Sequence, residues 1–239
     1  EQGMSKPDPV AYLFHGANEL GLKEHLARLR ASLGDKDTID LNTTVLDGAP
    51  LKLADLESAA KAMPFLGAVR VVLVENLTAS AGGRALIDRL GEFIASLPDW
   101  ARVIFVETGI DPKKDEDEPR RRAVRKLSKI MGGGTRCLVH AFQPPSDPAA
   151  WISKRAAHYQ ASIEPGAAEL LAERLGGDLQ LADSELLKLA TYTSGERPIT
   201  APDVELLTPY TAEANVFSMV DALGQRDGET ALRLLRTLL

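Results

Sequence analysis

Thirteen residues, Ala62-Met63-Pro64-Phe65-Leu66-Gly67-Ala68-Val69-Arg70-Val71-Val72-Leu73-Val74, constrain this chain more than any other stretch. Arg70 to Val74 is a nearly continuous β-branched run, the pattern of a strand buried on both faces of a parallel sheet, so something must cover each face. Met63, Phe65 and Leu66 are large and apolar yet sit at a break. Pro64 ends a helix read from Leu53 to Ala62, and Gly67 frees the backbone. A helix tip with three such side chains either plugs into the core or projects into a partner.

Upstream, Ala11-Tyr12-Leu13-Phe14 reads as a short strand, and His15-Gly16-Ala17-Asn18-Glu19-Leu20-Gly21-Leu22-Lys23 leads into a helix through about Leu33. A strand, a glycine turn and a helix form the context of a phosphate-binding loop, and Gly16 and Gly21 stand at its spacing. The motif then requires Lys followed by Ser or Thr, where this chain has Leu22 and Lys23. A slip of one position turns the lysine about 100° round the helix. No hydroxyl remains to hold Mg²⁺. The favoured reading is a helix start with permissive glycines. Glu75-Asn76 repeats the near miss, because an ATPase of this architecture places Asp-Glu after such a strand.

Ile39-Asp40-Leu41-Asn42 reads as a second strand, Leu77 to Arg84 as a glycine-rich loop, and Ala85 to Leu97 as an amphipathic helix ended by Pro98. Arg102 to Glu107 and Arg136 to His140 complete the strands. Between them lie five acidic residues, Asp111, Asp115, Glu116, Asp117 and Glu118, followed by Arg120, Arg121, Arg122 and Arg125. That run reads as a solvated loop and helix start, with a basic helix face toward DNA or a partner as the functional alternative. Alternating strand and helix predicts a parallel sheet covered on both faces.

After Pro145 the strands stop. Asp147-Pro148 opens a helix carrying Trp151 and Ile152, and further helices are read over Pro165 to Leu175, Asp178 to Tyr192 and after Thr200-Ala201-Pro202-Asp203. Amphipathic segments at about Val216 to Leu223 and Glu229 to Leu239 begin another helical unit whose apolar faces need partners. The predicted domains are 4–145 (α/β), 146–209 (small helical lid) and 210–239 (the start of a collar). The Glu1-Gln2-Gly3 leader before Met4 reads as an expression tag, and the pattern breaks off at Leu239.

Net charge −6 argues against a protein that grips DNA broadly by itself, since phosphate neutralisation needs a basic face. A single cysteine, Cys137, excludes a disulfide framework within the chain and fits a reducing, cytoplasmic compartment. No apolar run of membrane-spanning length occurs. His15, His25, His140 and His158 are scattered without metal-ligand spacing, and neither a catalytic constellation nor a cofactor site is read.

The order of these stretches resembles the delta subunits of the bacterial DNA polymerase III clamp loader. The matching residues are Tyr12-Leu13-Phe14-His15-Gly16 with Glu19, Pro64-Phe65 with Arg70 and Val72, and Trp151-Ile152. Farther along they are Gly177-Asp178-Leu179 with Glu185 and Lys188-Leu189, Ile199-Thr200 with Asp203-Val204, and Val216-Phe217 with Asp221-Ala222. The series spans roughly residues 8–239. The resemblance implies an AAA+-like fold that has lost ATP hydrolysis, a non-catalytic subunit of a DNA-directed DNA polymerase assembly. Such a subunit binds the ring-shaped sliding clamp and opens it during DNA replication, so that primed DNA can enter. Its other implied partners are clamp-loader subunits, met through the collar, and primer-template DNA within the assembly. It also implies that Met63, Pro64, Phe65 and Leu66 are the clamp-binding tip, with Phe65 and Leu66 as the plug and Met63 as a wedge. Arg70 is read as structural, and Gly16, Gly21, Leu22, Lys23 and Glu75 as a degenerate nucleotide site.

Three alternatives stand beside this one. An active ATPase would need lysine at 22, a hydroxyl at 23 and a second carboxylate beside Glu75. A nucleic-acid adaptor would use the Arg120, Arg121, Arg122 and Arg125 face. A delta-prime-like stator would carry a cysteine-bound zinc module, for which one cysteine is too few.

Overall fold

The alternation of strand and helix becomes a five-stranded parallel sheet in the computed structural model, which describes residues 8–110 and 117–209 together with residues 223, 224, 228, 232 and 235. The expected helices after residue 210 lie almost wholly outside the described residues, as do 111–116 of the acidic run. Contacts divide the chain into two compact units, Glu1–Gln143 and Pro144–Leu239.

In the first unit the elements are β1 (Ala11–His15), α1 (Glu19–Leu33), α2 (Lys36–Leu41), β2 (Thr43–Asp47), α3 (Leu53–Lys61), β3 (Arg70–Glu75), α4 (Ala81–Ala95), β4 (Ala101–Glu107), α5 (Glu118–Gly132) and β5 (Cys137–Ala141). The sheet order is β2-β3-β4-β1-β5 and every pair is parallel. Alternate strand residues face opposite sides, as the pleat requires. Leu13, Val72, Val74, Val103 and Phe105 pack in one cluster with α3, α4 and α5 side chains such as Leu56, Leu90 and Leu127. Phe14, Val71, Leu73, Ile104 and Val106 pack in the other with Leu22 of α1 and Ile39 of α2. Burial on both faces explains why β3 and β4 read as continuous apolar runs rather than alternating ones.

Two expectations are overturned. Ile39-Asp40-Leu41-Asn42 is no strand: α2 covers Lys36–Leu41, and the strand follows at Thr43–Asp47. Asp35 caps the helix by accepting the Thr38 N–H at 3.0 Å, Ile39 alone turns into the core, and Asp40 instead meets Arg30 at 2.6 Å. Four residues of mixed polarity suit either element; the cap decides. The stretch from Leu77 to Arg84 is not all loop. A 3₁₀ turn covers Leu77–Ala79 and α4 starts at Ala81, capped by Ser80 Oγ, which accepts the Gly83 N–H at 2.9 Å. Gly83 is a close-packing residue, because a Cβ there would lie 1.9 Å from the Leu77 carbonyl oxygen.

The second unit is helical: α6 (Pro148–Ala156), α7 (Pro165–Leu175), α8 (Leu179–Thr193) and α9 (Ala201–Leu207) close around Ile152, Leu171, Leu186, Leu189, Ile199 and Val204. Asp147 caps α6 as the sequence predicts and Asp178, read as the first residue of its helix, proves to be the cap of α8; they accept backbone N–H bonds at 2.9 to 3.0 Å. At α9, Thr200 and Asp203 form a reciprocal capping box, and Arg197 grips the Asp203 carboxylate through two bonds of 2.6 and 2.8 Å.

Candidate functional site

The helix α3 buries Leu53, Leu56 and Ala60 against the sheet and ends at Ala62, where the backbone turns extended. The chain returns to the core at Val69 and enters β3, with the Arg70 N–H donating to the Trp100 carbonyl at 2.8 Å. Between those anchors the apolar residues face water: Met63 is 80% exposed, Phe65 64% and Leu66 82%. The choice left open by the sequence, core plug or projecting tip, thus falls to projection.

The tip is nonetheless held. Asn42, the residue after α2, has no exposed surface, and its carboxamide spans the loop. Its Oδ1 accepts the Phe65 N–H at 2.5 Å, while its Nδ2 donates to the Phe65 carbonyl at 2.7 Å and to the Thr38 carbonyl at 2.9 Å. Leu66 then adopts a left-handed conformation with φ 52°, uncommon for a residue with a branched side chain. At Gly67 an added Cβ would come within 2.8 Å of Thr38 Cγ2. Arg70 ties the end of α3 to the sheet edge, its Nε donating to the Ala59 carbonyl at 3.2 Å and its Nη2 to Thr44 Oγ1 at 2.5 Å.

At the other end of the strands, the turn between β1 and α1 is short, only Gly16, Ala17 and Asn18. Two of its amides, and one from the first turn of α1, are already engaged. The Gly16 N–H donates to the Glu107 carbonyl at 3.3 Å, the Asn18 N–H to the Phe142 carbonyl at 3.1 Å, and the Gly21 N–H to Asn18 Oδ1 at 2.9 Å. A phosphate loop works by aiming such N–H groups at an anion. Gly16 has φ 133°, and a Cβ on it would lie 2.1 Å from the Phe142 carbonyl oxygen. Leu22 is buried in the core, and Lys23 lies one position round α1, 4.0 Å from Glu19. Glu75 stands exposed at the end of β3.

Beside it, sequence reading passed over Glu107. Its carboxylate is fully buried at the end of β4 and accepts the Thr78 N–H at 2.9 Å and the Thr78 hydroxyl at 2.5 Å. Burial pushes its pKa up, with Thr78 and then Arg120, 3.8 Å away, pulling the other way. Arg120 also donates to Asn76 Oδ1 at 3.3 Å and to the Thr108 carbonyl at 3.0 Å. It therefore turns inward, apart from the other arginines of α5. Arg121, Arg122 and Arg125 converge on Glu118 at 2.9 to 3.0 Å and hold its carboxyl down to about 2, Arg122 foremost. Arg122 and Arg125 keep most of their side-chain surface in solvent.

His25 and His140, distant in sequence, stack with ring centroids 5.3 Å apart beside Phe142. Among the described residues no group of three His, Cys, Asp or Glu side chains is placed to hold a metal ion. Nor, among them, is any helix long and apolar enough to cross a membrane.

A family model described as DNA polymerase III, delta subunit, matches residues 12–141, more than half of the chain. The DNA polymerase III subunit delta of Bacillus subtilis (strain 168) is 24% identical over 233 residues, covering 95% of this chain and 65% of that protein. Among solved structures, the Bacillus subtilis DNA clamp loader delta protein superposes with a TM-score of 0.64 at 22% identity, over 97% of this chain and 67% of that one. The chain thus spans about two thirds of the length of these relatives, and the solved structure confirms the fold. With the family model running from β1 through β5, the chain belongs to the DNA polymerase III delta subunit family.

Proposed function

We propose that this chain binds a ring-shaped sliding clamp through Met63, Pro64, Phe65 and Leu66 and opens the ring during DNA replication, without hydrolysing ATP itself. The observation that carries the reading is the exposure of three large apolar side chains on a braced loop. Clustered exposed apolar side chains of this size mark interaction sites. Phe65 and Leu66 together still have most of their surface to bury, about 2–4 kcal/mol at the usual return for apolar burial. Opening requires in addition that the tip bind the open ring better than the closed one, since equal affinity shifts no population. The engaged amides of the β1–α1 turn, and Leu22 where a phosphate-binding lysine would stand, support a subunit that leaves hydrolysis to others.

The other clamp-loader subunits are the partners we assign to the region after residue 209. The exposed Arg122 and Arg125 are the groups we assign to primer-template DNA or an acidic partner in the assembly, because both keep most of their side-chain surface in solvent while meeting the same Glu118 carboxylate.

The test is binding of this chain to the sliding clamp of the same organism, with and without ATP, beside the Phe65→Ala/Leu66→Ala variant. Binding independent of ATP and weakened roughly 30- to 1,000-fold in the folded variant is expected. A folded wild-type chain that does not bind, or a variant that binds equally well, refutes the reading.

A further inference from the structure

We propose that Asn42 is a positioning residue for the tip: its buried carboxamide holds Phe65 and Leu66 in the binding conformation before the partner arrives. The inference rests on the tip being the clamp-binding site.

The case begins with where the bonds go. Asn42 is fully buried, yet it bonds both backbone polar groups of Phe65, an exposed residue 23 positions away. Water could satisfy an N–H and a carbonyl on an exposed loop equally well. Spending two bonds of a buried side chain there fixes conformation rather than removing unpaired groups. The conformation fixed is an unfavourable one, since Leu66 sits at φ 52° where a β-carbon crowds the backbone. Released, the loop has lower-energy arrangements available, among them ones that fold Phe65 and Leu66 back onto the protein surface.

The surroundings are built for the same end. The helix α2 is six residues long, capped by Asp35 at its start, and delivers Asn42 at its end. The Asn42 backbone carbonyl accepts the Val71 N–H at 2.9 Å, so the residue is fixed to β3 as well. Gly67 lets the loop close against Thr38 and Asn42, whose side chains an added methyl group would push aside. A loop already in its bound shape loses less entropy on association. If only a fraction of molecules hold that shape, apparent affinity falls by the same fraction and the deficit shows in the on-rate.

The experiment measures association and dissociation rates for the sliding clamp with wild type, Asn42→Ala, Gly67→Ala, Phe65→Ala/Leu66→Ala, and the triple variant Asn42→Ala/Phe65→Ala/Leu66→Ala. Melting curves establish that each is folded. We expect Asn42→Ala and Gly67→Ala each to slow association on the order of tenfold while changing dissociation much less. Adding Asn42→Ala to the Phe65→Ala/Leu66→Ala variant should cost nothing more, because the groups it positions are gone. Should Asn42→Ala fail to fold, Gly67→Ala decides alone, since that residue lies on the exposed loop. Wild-type association by Gly67→Ala or by folded Asn42→Ala overturns the inference while leaving the clamp reading intact. Wild-type binding by Phe65→Ala/Leu66→Ala overturns the clamp reading itself, and this inference with it.

Discussion

Replacing Leu66 by Asn should raise the stability of the fold and lower its affinity for the clamp, two effects of opposite sign from one side chain. Leu66 keeps 82% of its surface in water, so folding has gained little from it, about 0.3–0.5 kcal/mol of the 1.5–3 that full burial of a leucine gives. Its left-handed backbone, at φ 52°, costs about 1–2 kcal/mol for a leucine, whereas asparagine visits that region routinely. The exchange should therefore stabilise by about 0.5–1 kcal/mol. Leu66→Gly would relieve the same strain but add freedom to the unfolded chain, about 0.4–1 kcal/mol in the opposite direction, and should come out near neutral. Urea unfolding can read this directly. The chain has two tryptophans, and in a Trp151→Phe background Trp100 alone reports on the α/β unit. At a slope of about 1–3 kcal/mol per molar, the midpoint should rise by about 0.2–1 M. A loss of 1 kcal/mol or more in Leu66→Asn would mean that the leucine packs inward in solution, and the reasoning from exposure would fail with it.

Two further outcomes test the supports of each unit. Gly83→Ala should destabilise the α/β unit by about 3 kcal/mol or more, its Cβ meeting the Leu77 carbonyl oxygen at 1.9 Å and the Gly48 carbonyl oxygen at 2.8 Å; Gly82→Ala, with Ser80 Oγ at 3.8 Å as its nearest neighbour, should be neutral or slightly stabilising, and urea midpoints compare them. In the helical unit, the Arg197 guanidinium and the Thr200 N–H hold the Asp203 carboxyl well below its ordinary 3.8. A depressed native pKa supplies stability above the unfolded value and loses it as pH falls. Trp151 fluorescence should therefore show acid weakening that begins near pH 4, and Asp203→Asn, about 1–2 kcal/mol less stable at pH 7, should flatten that slope.

The parallel sheet, its covering helices and the change to an all-helical unit were legible because they are written in local signals: β-branched runs, amphipathic periods, and caps such as Asp147 and Thr200. What was misread was short or nonlocal. The α2 helix has six residues, too few for a period to establish itself, and only the Asp35 cap separates it from a strand. The same error hid Asn42, because a residue placed inside a strand gives no reason to expect its side chain to reach Phe65. The role of Glu107 was equally hidden. A carboxylate at a strand end is ordinary until Thr78 and Arg120 are brought to it from 29 positions before and from the next helix. Met63, Phe65 and Leu66 could be located from sequence, but burial is a property of the whole fold, and their exposure was not.

Strand direction gives the two candidate sites their relation. The tip runs into the start of β3 and Asn42 into the start of β2, whereas Glu75, Glu107 and the β1–α1 turn stand at strand ends. With every strand parallel, the tip and the β1–α1 turn lie at opposite ends of the strands of one sheet, about 20 Å apart for a strand of six residues. In α/β proteins the ligand edge is the one at the strand ends, and there this chain has filled its own space: turn amides bonded to carbonyls, Leu22 in the core, Glu107 satisfied by Thr78 and Arg120. The β4 strand between is buried along its full length. Force applied to the α/β unit in an assembly would therefore reach Phe65 and Leu66 through a stiff sheet rather than be lost in bending. The ring opening proposed above requires such a lever, and the proposed brace at Asn42 belongs to it: a stiff sheet with a loose tip would transmit nothing.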